Sequence, residues 1–231
     1  MSKSTSYNKY NNALPNRRIF LVILLVVCCL LRQSIYHSSI VYRIGQERVA
    51  DTLMDANFER FILRHPDVYD RYFNNIDKII HVSLKVTADA LSFKGELTTK
   101  THPLSTLNLG EANSEGYAAF FKTVCTYLIR RYHFSDTYIC RQYIAERTKN
   151  GENLQDAIHT LSGSSPFNKY RDVLAIINVR TGERKFVDPV IYDQFNIVGI
   201  NVSNEEKASL NVKESLDVLR AKSQLFARPQ R

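Results

Sequence analysis

From Ala112 to Tyr132 the chain reads ANSEGYAAFFKTVCTYLIRRY, and the rest of the sequence is read outward from this stretch. Its apolar residues Tyr117, Phe120, Phe121, Val124, Cys125, Leu128, Ile129 and Tyr132 are separated alternately by three and by one. That spacing lines one face of an α-helix, and a stripe this wide and aromatic predicts a helix facing a core. The helix is expected to begin near Ser114, whose hydroxyl is a natural acceptor for first-turn amides.

Downstream the period changes. Thr137 to Ala145 and Asp172 to Val179 are short and rich in Tyr, Ile and Val, which predicts strands. The second is apolar on nearly every residue and is expected at the centre of a sheet. Arg180-Thr181-Gly182-Glu183 supplies a turn, and Lys185 to Asp188 returns as the hairpin partner. A polar insertion, Glu146 to Tyr170, separates the two strands. A short strand from Asn196 to Val202 and an amphipathic helix through Leu210, Leu216 and Leu219 are expected to close the chain.

Upstream, apolar residues recur at three and four from Gln46 to Leu63, stopping before His65-Pro66, and predict an amphipathic helix. Ile76 to Phe93 is apolar on more than one side and predicts a largely buried helix. A Thr- and Ser-rich connection with Pro103 joins it to the central stretch.

Near the N-terminus, Ile19 to Leu31 reads IFLVILLVVCCLL, thirteen consecutive apolar residues flanked by Arg17, Arg18 and Arg32. Thirteen is short for a span of about twenty and also suits the apolar region of a signal peptide. The following residues lack a small-x-small cleavage site, so an uncleaved signal anchor is the expectation. The helix can extend through Gln33 to Tyr42, with Arg32 snorkelling and Tyr36 and Tyr42 at the interface. Lys3, Lys9, Arg17 and Arg18 precede the span and favour a cytoplasmic N-terminus; Arg32, Arg43 and Arg48 follow it. Single-pass membrane attachment through Ile19 to Tyr42 is thus the expected localisation.

The 231 residues carry a formal net charge of +8, but no Lys/Arg-rich run of nucleic-acid type occurs, so no nucleic-acid partner is expected. Near an anionic bilayer the same charge contributes about 1 kcal/mol per nearby cation. Of the four cysteines, Cys28 and Cys29 lie in the apolar run. Cys125 is expected as a small core residue, and a Cys125 to Cys140 bridge stays open outside the cytosol. No P-loop, dinucleotide fingerprint, calcium loop or zinc spacing is present, so neither cofactor nor metal is expected.

A nucleophile in the first turn of a helix, followed by antiparallel strands presenting a base and an acid, is one way to build a thiol active site. Ala112-Asn113-Ser114-Glu115-Gly116-Tyr117-Ala118 resembles the Cys-Glu-Gly-Tyr-Ala segment of the transglutaminase-like superfamily of papain-type thiol enzymes. Asp172 to Val179, the Thr181-Gly182-Glu183 turn and Phe186-Val187-Asp188-Pro189 resemble that family's His-bearing strand and its following Val-Asp-Pro strand. The resemblance covers about Thr98 to Asp193, less than half the chain. It implies an α+β fold with helices packed on a small antiparallel sheet, as in a papain- or transglutaminase-like core.

It also implies vestigial triad positions. Ser114 stands where the family has its catalytic Cys, Tyr170, Arg171 and Asp172 stand where its His is placed, and Asp188 matches its Asp. A serine hydroxyl needs an adjacent base. Of the six histidines, His102 and His159 are the candidate replacements. Asn113, Glu115, Arg171, Asp172 and His159 are candidate cleft residues, although Glu115, Arg171 and Asp172 also read as ordinary surface charges. Asp188 before Pro189 also reads as a strand-ending residue bonded to nearby backbone.

The expected organisation is a basic polar tail (1–18), an anchor helix (19–41), a transglutaminase-like α+β domain (42–203), and a C-terminal amphipathic helix and tail (204–231). Three functions compete. One is a non-catalytic domain that binds a protein or peptide at a membrane. The second is a hydrolase or acyltransferase with Ser114 as nucleophile and a His or Lys169 as base. The third is an unrelated anchored accessory protein.

Overall fold

The computed structural model describes residues 13–48, 55–69, 72–95, 102–148 and 170–203. The chain divides into two compact units, Met1–Ser38 and Ser39–Arg231. In the first, helix α1 (Ala13–Ser39) contains the 21-residue segment Ile19–Ser39, whose 18-residue apolar window has a mean hydropathy of 2.4. At 1.5 Å per residue this is about 31 Å, enough to cross the hydrocarbon of a bilayer. Within this helix Ile19, Phe20, Leu21, Leu25 and Leu30 are exposed, so the segment is apolar all round.

The helix is longer than its thirteen-residue apolar run because Gln33, Ser34 and Ser38 continue it. It ends before Tyr42, contrary to expectation. Val41–Arg48 forms strand β1, in which Tyr42 and Ile44 are buried while Arg43 and Gly45 are exposed. That two-residue alternation is a strand pattern, and it outweighs the apolar continuity that links Tyr42 to the anchor. Tyr42 is therefore a core residue of the second unit, not an interfacial one.

The expected helix from Gln46 is corrected in the same way. Gln46, Glu47 and Arg48 belong to β1, and the helix proper is α2 (Ala56–Arg64), where the Asp55 carboxylate accepts from the amides of Asn57 and Phe58. It stops ahead of His65-Pro66, as the disfavoured α conformation before proline requires. Ala50, Leu53 and Met54 lie outside the described residues.

Helix α3 (Ile76–Ala90) is buried on several sides and shorter than expected at its end. Ser92–Phe93 is instead a short strand, β2, paired in parallel with β3 (Glu111–Ala112). The Thr/Ser-rich connection holds a further helix, α4 (Pro103–Leu109), that the sequence reading missed. It starts on a proline that needs no hydrogen-bond partner and stops on Gly110 at φ 67°. Helix α5 (Ser114–Arg131) begins where expected.

The main sheet has the order β1-β4-β5-β6, with β4 (Tyr138–Thr148), β5 (Tyr170–Asn178) and β6 (Arg184–Val187) antiparallel throughout. The architecture is α+β with a small antiparallel sheet. β5 is central and buried on both faces, and Gly182 takes φ 73° in the turn to β6, both as expected. Gly45 sits at the register shift between β1 and β4, where a Cβ would stand 3.0 Å from the Ile144 carbonyl oxygen.

After β6, Pro189–Phe195 forms helix α6 rather than a continuing strand. Asn196 to Val202 is likewise not a full strand. Asn196 ends α6 at φ 52°, and Val202 makes an isolated parallel bridge to Tyr42. Bonds from the Ile200 amide to the Phe186 carbonyl (3.0 Å) and from the Tyr42 amide to the Asn201 carbonyl (2.8 Å) tie this segment to both edges of the sheet. That linkage covers two strand edges otherwise open to pairing.

The core lies between α2, α3 and α5 and one face of the sheet, with Leu174 and Ile176 of β5 among its members. Phe120 meets Phe58 edge-on at 5.0 Å and Phe61 at 6.2 Å. The C-terminal segment with Leu210, Leu216 and Leu219 lies outside the described residues.

Candidate functional site

Helix α5 opens on Asn113, not on Ser114: the Asn113 carboxamide oxygen accepts the Gly116 amide at 2.9 Å. Both residue types cap well, and Asn113, in extended conformation, holds the position one residue outside the helix. Ser114 is the first helical residue and is half-buried.

Asp188 is 1% exposed and bonded on every side. Its Oδ1 accepts the amides of Val190 (3.0 Å) and Ile191 (3.2 Å), capping α6. Its Oδ2 accepts the Tyr42 hydroxyl (3.3 Å) and an Arg171 guanidinium N–H at 2.9 Å. Four donors on one carboxylate fill its acceptor sites. Arg171 is 2% exposed, and its guanidinium lies 5.6 Å from the Phe93 ring centre. β2 pairs Phe93 with Ala112, two residues before Ser114, which ties the ion pair to the start of α5.

A second polar cluster sits at the same end of α5. Arg48 binds Asp172 at 2.6 Å and Glu115 at 3.2 Å. Gln142 donates its amide to Asp172 at 3.1 Å. Asp172 follows Arg171 on β5, and alternation along a strand sends the two side chains to opposite faces. Asp172 and Glu115, distant in sequence, are joined through Arg48.

The candidate residues are thus partly brought together. Ser114, Asn113 and Glu115 share the first turn of α5, Arg171 pairs with Asp188, and Asp172 reaches Glu115 through Arg48. Arg171 and Asp172 are buried and engaged, so they neither line an open cleft nor behave as surface charges. His159 and Lys169 lie outside the described residues. His102 stands at the start of α4 without a side-chain cap bond, and no histidine among the described residues hydrogen-bonds to Ser114 or Asp188. Tyr42, Arg48 and Gln142 escaped the sequence reading. The alternation Tyr42, Arg43, Ile44, Gly45 is the signal that would have found the first two.

Tyr117 does more than fill the core. Its hydroxyl lies 2.7 Å from the Leu91 carbonyl and 3.0 Å from an Asp193 oxygen. Burial, more than the Asp193 charge, pushes the Tyr117 phenol up, and burial raises the Asp193 carboxyl above its ordinary value. A raised acid binds its proton more tightly folded than unfolded. Its contribution is therefore complete below the ordinary carboxyl range near pH 4 and is lost as pH rises through the raised value. Asp193→Asn, which keeps an acceptor oxygen for the Tyr117 hydroxyl and removes the charge, is expected to melt higher than the parent at about pH 7. The gap should close at about pH 4; equal melting at both would remove Asp193 from this account.

His65, Asp67 and Asp89 bring three metal-type ligands together. Asp89 faces one ring nitrogen at 3.1 Å and Asp67 the other at 3.9 Å, so the two carboxylates flank opposite edges of the imidazole. The Lys85 ammonium lies 2.5 Å from Asp67. The Lys85 ammonium and the imidazole thus share the Asp67 carboxylate.

No family model matches the chain, and no curated protein or solved structure matches it.

Proposed function

We propose that the protein is a single-pass, membrane-anchored domain of transglutaminase-like descent that has lost catalysis and binds a protein or peptide. The reading rests on the buried Arg171 to Asp188 pair. A strand that begins with a base, a hairpin and a Val-Asp-Pro segment is the order in which such an enzyme assembles its His and Asp. Here Arg171 occupies the base position. Its guanidinium remains protonated throughout the physiological range and accepts no proton. Asp188, with four donors already bound, has no acceptor left to orient an imidazole. Among the described residues Ser114 then has no adjacent base to raise its nucleophilicity.

The length and hydropathy of Ile19–Ser39 support membrane anchoring. The basic residues Lys3, Lys9, Arg17 and Arg18 ahead of it favour a cytoplasmic N-terminus. A buried, paired Arg171 and Asp188 with no base among the described residues suits recognition rather than turnover.

A serine-directed phosphonylating probe tests the proposal. The folded full-length chain is expected to keep its intact mass after long exposure. Stoichiometric phosphonylation of Ser114 in the folded but not the unfolded chain would establish an activated hydroxyl and overturn the reading.

A further inference from the structure

Helix α2 carries two arginines, Arg60 and Arg64, four residues apart and both exposed. With Asn57, Phe61 and His65 they line a cavity of about 330 Å³. Four residues are about one helical turn, so the two side chains leave the same face and their charges repel. Among the described residues no carboxylate lines the cavity to offset them. Arg60 bonds only to neutral groups: its Nε donates to the Ala56 carbonyl at 3.1 Å and a terminal N–H to the Asn57 carboxamide oxygen at 2.8 Å. Three of its five N–H donors are left over. Arg64 makes no ion pair and no side-chain hydrogen bond among the described residues. The acids nearest in sequence are engaged elsewhere. Asp55 caps the start of α2, Glu59 accepts the Tyr127 hydroxyl at 2.8 Å, and Asp67 faces Lys85 and His65. The His65 ring is engaged too, with Nε2 facing Asp89 at 3.1 Å and Nδ1 accepting the Asp67 amide at 3.3 Å.

We propose that this cavity is a binding site for a phosphate monoester group, held between the Arg60 and Arg64 guanidiniums. Charge and shape both select that class. A phosphate monoester carries about −1.5 to −2 charges near pH 7, which matches two guanidiniums that no carboxylate neutralises. A carboxylate brings a single charge. The three free oxygens of the phosphate can engage two separate donor forks, whereas one fork already saturates the two oxygens of a carboxylate. The Phe61 ring, on the cavity wall and packed against the core, offers apolar surface to the organic part of the ester. A soluble phosphate ester and a phosphorylated lipid headgroup share this chemistry, and the experiment separates them.

The full chain in phosphatidylcholine nanodiscs is titrated with inorganic phosphate at constant ionic strength in a calorimeter. The expected result is saturable binding at one site, weakened about tenfold or more by Arg60→Gln and by Arg64→Gln alike. Both arginines are exposed and glutamine is a comparable helix former, so α2 is retained in the variants, which circular dichroism checks. Acetate over the same range is expected to show no saturation. Nanodiscs that also contain phosphatidylinositol 4-phosphate identify the source. Loss of the inorganic phosphate signal there assigns the site to the headgroup, and an unchanged signal assigns it to a soluble ester. No saturation of the parent up to about 10 mM phosphate, equal binding of acetate, or unchanged affinity in either variant would refute the proposal.

Discussion

Asp188→Ala is expected to cost about 3–5 kcal/mol of folding stability, because it leaves the buried Arg171 charge without its carboxylate. The loss has three parts. Removing one member of a buried ion pair strands the other in low dielectric, where the attraction can no longer offset desolvation. Helix α6 loses the acceptor that caps Val190 and Ile191, which costs about 1 kcal/mol. The Tyr42 hydroxyl, also buried, loses the acceptor that joins β1 to the start of α6. Asp188→Asn keeps an oxygen for the cap and removes only the charge, so it should fall between the parent and Asp188→Ala. Urea unfolding followed by circular dichroism, with the chain in detergent, measures all three proteins. A loss below about 1 kcal/mol for Asp188→Ala, the scale of a cap alone, would mean that the pair adds nothing beyond it.

Phe120→Ala is expected to cost a similar amount, about 3–5 kcal/mol, for a different reason. Phe120 is fully buried and its ring is held edge-on between Phe58 and Phe61. Truncation removes the transfer term and leaves a cavity between α2 and α5 that neighbours on two helices cannot both fill. Leu109→Ala, at a position 62% exposed, provides the comparison and should stay within about 0.5 kcal/mol. Comparable losses at the two positions would contradict the placement of the core.

The core helix, the central strand and the tight turn were all legible, because each is a strong local pattern. Tyr117 to Tyr132 announces one face of a helix, and Gly182 announces a left-handed turn residue. What could not be read depends on partners far away in the chain. Tyr42 looks like the end of an apolar anchor until β4 and the Val202 segment pair with it. Arg48 looks like one more flanking charge until Asp172 and Glu115 surround it. Pro103 was placed in a connection and Pro189 after the end of a strand, but each sits at the first position of a short helix, where a missing amide hydrogen costs nothing.

The candidate site divides along the same line. Asp188 and Arg171 were identifiable as positions, since the segments around them carry the resemblance read from the sequence. Their burial and their pairing were not, because a charged residue beside an apolar strand reads equally well as a surface group. The Asn113 cap was misassigned to its neighbour for a smaller reason: two capping residue types stand side by side, and only backbone conformation decides which one lies outside the helix.

The account turns on Arg171 and Asp188 acting as one unit, and a double-mutant cycle measures that directly. Arg171→Met, Asp188→Ala and the combined variant are unfolded beside the parent. The predicted result is a combined loss smaller than the sum of the single losses by at least about 1.5 kcal/mol. Additivity within about 0.5 kcal/mol would contradict it, since Asp188 would then be available to a different partner.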